Sequence, residues 1–174
     1  KYDDAEIIKV GNPALRPQFT NSYELGYKTN LKKGYFYSAL YHRSTVGTIT
    51  RIATQVPPGT LIYTVFQNAG HSSNTGIELV LQQNISKAFS FNTNVNIYRN
   101  IIDAFTVQNK YPVASTYTAS NERFTSGNIK LNGIFHLPKK TDIQITSIYL
   151  APDIIPQGKI GTRFSIDMGI KKKI

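Results

Sequence analysis

Residues 75–98 read TGIELVLQQNISKAFSFNTNVNIY. In the first half Ile77, Leu79 and Leu81 alternate with Glu78, Val80, Gln82 and Asn84. After a turn at 85–88 the alternation resumes, with Phe89, Phe91, Thr93, Val95 and Ile97 interleaved with Ser90, Asn92, Asn94 and Asn96. A period of two sends successive side chains to opposite faces of a strand. Two such runs joined by a few residues predict an antiparallel hairpin, apolar on one face and rich in amides and hydroxyls on the other. In a soluble sandwich the apolar face meets a second sheet. In a membrane barrel it meets lipid, and the polar face lines the interior. The hairpin alone leaves both open.

Composition narrows the choice. The 174 residues are 40% hydrophobic and 17% charged, with 11 Tyr, 9 Phe, no Trp and no Cys. Charge is below the roughly 25% of soluble domains, and neutral polar residues fill the gap, as suits a wall between lipid and a wet lumen. Without Cys there is no disulfide framework, thiol nucleophile or Cys-ligated zinc. No stretch approaches the roughly 18 apolar residues of a membrane-spanning helix, but barrel strands need only about ten alternating residues each. Lys1-Tyr2-Asp3-Asp4 precedes no apolar leader core, so a leader is expected to have been removed or the chain to start within a longer protein. The net charge of +10 raises nucleic acid as a partner. However, the lysines are scattered through turns (Lys32-Lys33, Lys87, Lys139-Lys140, Lys171–Lys173) without interleaved aromatic platforms, and no nucleic-acid partner is expected.

In chain order, residues 1–17 end in GNPALRP, whose two prolines oppose regular pairing, and are expected as an extended loop. Strands follow at 19–29 and 35–43. The turn between them holds Lys32, Lys33 and Gly34, the glycine available for positive φ. The second strand, YFYSALYHR, is aromatic on both faces and ambiguous in register. Residues 44–73, broken by Gly47, Pro57-Pro58-Gly59 and Gly70, are expected to fold back as a small hairpin of 48–52 and 61–66. Beyond the organising hairpin comes a long connection at about 100–121, with Tyr111-Pro112. Strands at 124–137 and 142–150 flank the tight turn Pro138-Lys139-Lys140-Thr141. A third loop at 151–160 leads to the strand 162–171. Short basic turns thus alternate with long loops, the asymmetry of outer-membrane barrels. The expected fold is all-β, an antiparallel up-and-down meander of roughly seven strands forming part of a transmembrane barrel.

Three stretches carry a family resemblance. Residues 11–51, beginning GNPALRPQFTNSYELGYKTN, resemble the NPxLxPE…ElGyk strand pair of TonB-dependent outer-membrane receptors of the Bacteroidetes type, with Gln18 in place of the usual Glu. Residues 68–98, with TGIEL, resemble their next hairpin, and residues 156–174, PQGKIGTRFSIDMGIKKKI, a later strand. The resemblance implies that 1–174 is a partial barrel domain from the later wall of a receptor of about 22 strands, its plug, energy-coupling box and closing strands lying outside this sequence. It further implies a bacterial outer-membrane location and uptake of an unknown nutrient. The partners would be outer-membrane lipid, the protein's own plug and remaining strands, and TonB through the missing N-terminal region. Ile77, Leu79, Phe91, Val95 and Ile145 would face lipid, and Glu78, Asn92, Asn94 and Asp167 the plug, with loops 44–73 and 100–121 helping to capture substrate. The alternative is a secreted or surface-attached β-sandwich binding carbohydrate or protein.

Candidate chemistry is sparse. His42, His71 and His136 lie on separate strands and loops without ligand spacing and read as solvated or lumen histidines, so no metal or cofactor is expected. Asp103, Glu122 and Asp153 belong to outer loops that could touch substrate. Glu24, Glu78 and Asp167 lie on polar strand faces, where they could meet a plug or pair with Lys or Arg across strands. The Asn84-Ile85-Ser86 sequon reads as a turn. Tyr27, Tyr35, Tyr37, Tyr41 and Tyr149 could form interfacial girdles or simply reflect β-propensity. With no Ser-His-Asp spacing, carboxylate pair or phosphate loop, no enzyme is expected.

Overall fold

The computed structural model describes residues 7–55, 58, 61–110 and 114–172, and no helix occurs among them. In chain order the strands are β1 (Ile7–Val10), β2 (Phe19–Leu31), β3 (Gly34–Val46), β4 (Ile49–Gln55), β5 (Ile62–Asn68), β6 (His71–Asn84), β7 (Phe89–Ile102), β8 (Phe105–Asn109), β9 (Ser115–Ala119), β10 (Glu122–Leu137), β11 (Thr141–Leu150), β12 (Asp153–Ile155), β13 (Gly158–Ile160) and β14 (Arg163–Lys172). Seven of them make one antiparallel sheet in the order β14-β11-β10-β7-β6-β3-β2. This is the expected meander. The other strands form three small sheets, β1-β5-β4, β8-β9 and β12-β13, drawn from the long connections and, for β1, from the segment before β2.

The register carries the period of two across the whole sheet. Leu79 lies opposite Ser38 and Val95, Val95 opposite Ile129, Ile129 opposite Tyr149, and Tyr149 opposite Phe164. Rows above and below repeat the pattern, so Ile77, Phe91 and Ile145 share that apolar face, while Glu78, Asn92, Asn94 and Asp167 share the other. Among the described residues no second layer covers the apolar face: Leu25 is 75% and Met168 69% exposed. A sandwich would bury these side chains against a second sheet; among the described residues they stay open.

The buried core lies elsewhere. Ile52 (0% exposed), Ala69, Ile102, Phe105, Val107, Ala119 and Ile154 form one cluster, with Tyr117 and Phe124 packed against it. Except for Ile102 and Phe124, near the loop ends of β7 and β10, these residues belong to the long connections. The three connections therefore fold onto each other as a single cap at one rim, opposite the short turns.

Several expectations are corrected. Ile7–Val10 is not loop but a strand, paired in parallel with β5 from Ile7↔Ile62 to Val10↔Val65. Its run of β-branched residues outweighs the prolines that follow. Gly34 does not take positive φ. It begins β3, where a Cβ would stand 1.8 Å from the Gln82 carbonyl oxygen, so close strand approach requires the glycine. The turn shrinks to Lys32-Lys33, and among the described residues the non-glycine ones with positive φ are Lys139 and Lys140. β3, β6 and β7 run several residues beyond the expected ends, because ladder pairing continues through polar segments such as Ser72–Asn74 that lack apolar alternation. The 44–73 hairpin is present as β4-β5. Residues 100–121 and 151–160 also contain hairpins, of five and three residues per strand, too short for a period to show. Pro57, Gly59, Tyr111, Pro112 and Lys173 lie outside the described residues.

Candidate functional site

The ambiguous register of YFYSALYHR is settled by glycine and by hydroxyl partners. Tyr35, Tyr37 and Tyr41 fall on the polar face, opposite Gln82, Val80 and Gly76, so they are not girdle residues. Tyr41 donates to Asn96 Oδ1 at 2.9 Å and lies over Gly76, where a Cβ would stand 2.6 Å from its hydroxyl. Tyr37 donates to Glu24 Oε1 at 2.9 Å and covers Gly26. A tyrosine needs both a hole for its ring and an acceptor for its O–H, and the polar face supplies both. Tyr27 and Tyr149 do lie on the apolar face, opposite Ser38 and Ile129. Glu78 accepts from Asn94 at 2.5 Å. The partners of Glu24 and Glu78 are thus a tyrosine and an amide, not the Lys or Arg expected across strands. Asp167 stays exposed on β14.

Side-chain amides tie the cap together by imitating backbone. The Ala53 N–H donates to Gln157 Oε1 at 2.6 Å, and Gln157 Nε2 donates back to the Ala53 carbonyl at 3.1 Å. This joins the third connection to the edge of β4. Asn68 does the same with Arg16, at 2.8 Å in both directions. A polar chain runs from Asn12 to Gln67 (3.0 Å), Gln67 to Asn109 (2.6 Å) and Asn109 to Thr54 (3.1 Å), satisfying the amide of the buried Asn109. Tyr117 donates to the Pro156 carbonyl, and burial, assisted by the charge of Glu122, raises its pKa above 10.0. Asp153 accepts from Tyr98 at 2.7 Å. It anchors the third connection to β7. Glu122 opens β10 on the surface.

The histidines are apart, as their spacing implies, and no group of three or more His, Cys, Asp or Glu among the described residues could hold a metal. His42 contacts Thr75 at 2.7 Å and His136 contacts Asp142 at 2.8 Å. His71 was less legible: Nε2 lies 2.8 Å from Ser44 Oγ and Nδ1 2.7 Å from Asp103 Oδ2, with Asn121 donating to Asp103 at 3.1 Å. These contacts follow the order of a Ser-His-Asp relay, which sequence spacing did not show because the three come from β3, β6 and the residue after β7. Acyl transfer also needs preorganised N–H donors for an oxyanion. Ser44 lies inside the sheet, paired with Asn21 and Ser73, so the neighbouring strand amides are committed to ladders. What the contacts do is clamp the bases of the first two connections together.

Two clefts open on the cap. One of about 500 Å³ lies between Thr50, Arg51, Ala53 and Phe66 on one side and Ile155, Pro156 and Gln157 on the other. Arg51 sits over the Phe66 ring at 5.4 Å, presenting a cation backed by an aromatic face. The second, about 290 Å³, is lined by residues 11–14 with Val65, Gln67, Gln108 and Lys110. Arg51 and Gln157 supply the polar side chains of the first cleft, and Asn12, Gln67, Gln108 and Lys110 those of the second.

A family model described as "Outer membrane protein beta-barrel family" matches residues 1–174. No match was found among curated proteins or among solved structures.

Proposed function

Because the chain belongs to the outer membrane protein beta-barrel family and resides in the bacterial outer membrane, we propose that it is wall and loops of a TonB-dependent receptor of the Bacteroidetes type. On this reading the whole protein takes up a scarce nutrient, driven through TonB by the inner-membrane proton gradient, and does no catalytic chemistry. The observation that carries it is the polarity of the sheet from end to end: short lysine turns at one rim and, at the other, three connections folded into one cored cap with open clefts.

The physical roles follow. The apolar rows face lipid. Glu24, Glu78, Asn92, Asn94 and Asp167 face a plug, and the Arg51–Phe66 cleft meets the solute first. Among the described residues β2 and β14 each pair on one side only; on this reading further wall strands complete them, and a barrel of about 22 strands leaves room for a plug. Outer-membrane lipid, the plug, the remaining wall and TonB are the partners on this reading. Nucleic acid is not among them.

An antibody against residues 44–73, used on fractionated source cells, tests the proposal together with capture of the detected protein by the periplasmic domain of TonB. A band several times larger than 19.5 kDa, held by TonB, is expected. A band of small-barrel size that ignores TonB would overturn the receptor reading and leave the barrel.

A further inference from the structure

The apolar face has one large hollow at its turn end. Gly133 contributes no side chain, and Phe89, Phe91, Leu131, Phe135, Ile145 and Ser147 surround it, leaving about 420 Å³ open toward the membrane. Phe89 and Phe135 stack at 4.7 Å to form its lower wall. The volume lies in the range of small-molecule sites, about 300–1,000 Å³, and the lining is almost all carbon.

Directly beyond that wall are two turns carrying Lys87, Lys139 and Lys140. Lys87 precedes Phe89 by two residues and Lys139 follows Phe135 by four, roughly 7–13 Å along the chain. Lys139 and Lys140 stand at φ of 60° and 55°, a region that L side chains enter at a steric cost and that Asn or Gly enters readily. None of the three lysines has an ion pair or hydrogen-bond partner for its side chain among the described residues. The neighbouring carboxylate, Asp142, is held by His136 on the opposite face. Two lysines thus occupy backbone positions that other residues fill with less strain, and charge is what they add there.

We propose that the Gly133 hollow and these two turns form a binding site for one anionic glycerophospholipid of the periplasmic leaflet. An acyl chain lies in the hollow along Gly133, and the phosphate and anionic headgroup sit against Lys87, Lys139 and Lys140. Short turns mark the periplasmic rim, and basic clusters at a membrane surface select anionic headgroups. The inference rests on the outer-membrane location and not on what the barrel transports.

The test is native mass spectrometry of the intact outer-membrane protein containing this chain, delipidated and then offered equal amounts of phosphatidylglycerol and phosphatidylethanolamine. Phosphatidylglycerol is expected to be retained about fivefold or more in excess. The double variant Lys139→Asn/Lys140→Gly suits the turn backbone while removing both charges, and it should bring the two lipids near parity. Gly133→Leu fills the hollow; its Cβ meets Phe89 at an ordinary 3.4 Å. It should lose one retained lipid of either kind. Folding of each variant is checked by the mobility of unboiled protein on a denaturing gel. Equal retention by the natural protein, unchanged selectivity in the lysine variant, or a full lipid complement in a folded Gly133→Leu variant would each overturn the site. Should Gly133→Leu not fold, the lysine variant decides alone.

Discussion

A lysine in place of Leu81 tests the assignment of faces most directly. Leu81 lies opposite Phe36 and Thr93, in the middle of the apolar rows that run along β7 from Phe89 to Ile97. Those eight steps span about 26 Å of strand at ~3.3 Å each, or about 20 Å of height at a tilt of about 40°, close to the roughly 25 Å apolar band of outer-membrane barrels. Leu81 therefore sits near the midplane, about 10 Å from either interface, beyond easy reach of a snorkelling lysine. Leu81→Lys should cost about 2–4 kcal/mol, and Ile97→Lys, at the edge of the band, about 0–1 kcal/mol. Asn94→Lys, on the partner strand at nearly the same depth, replaces the amide bond to Glu78 with an ammonium beside that carboxylate and should cost no more than about 1 kcal/mol. Denaturant titration of the full barrel in lipid vesicles measures all three. Equal losses for Leu81→Lys and Asn94→Lys would refute the faces, and equal losses for Leu81→Lys and Ile97→Lys would refute the depth.

Further outcomes concern the glycines and the cap. Gly34→Ala cannot keep the present pairing, because its Cβ would stand 1.8 Å from the Gln82 carbonyl oxygen; a loss of at least about 1–3 kcal/mol is expected, read in the same titration. Gln157→Ala leaves the Ala53 N–H and carbonyl without their amide partner. Faster hydrogen exchange at Ala53 and earlier proteolysis near residue 160 should follow, with the wall strands unaffected. The raised pKa of Tyr117 means that the folded cap favours the protonated phenol. Its contribution is complete below the ordinary value of 10.0 and is lost as pH rises through the higher folded value. Cap melting followed against pH should show an alkaline fall that Tyr117→Phe diminishes; an identical fall in both proteins would assign it to other groups.

The wall was legible in the sequence because alternation is a local property. Ile77 to Ile97 and Ile129 to Leu137 state which residues share a face, and short basic turns against long loops state the up-and-down order. Within the cap only the β4-β5 hairpin carried such a signal. β8 and β9 alternate for only five residues each, and β1 finds its partner β5 some 55 positions away. The amide ties from Gln157 and Asn68 join segments whose spacing carries no period. The same holds for Ser44, His71 and Asp103, which meet only once three strands are in register. Register also placed Tyr37 and Tyr41, whose strand was aromatic on both sides until Gly26 and Gly76 supplied room on one of them. Side-chain periodicity is written residue by residue and so fixed the all-β wall and its two faces. The cap core, the tyrosine faces and the hollow over Gly133 depend on which distant backbones approach, and that was decided only by the folded chain.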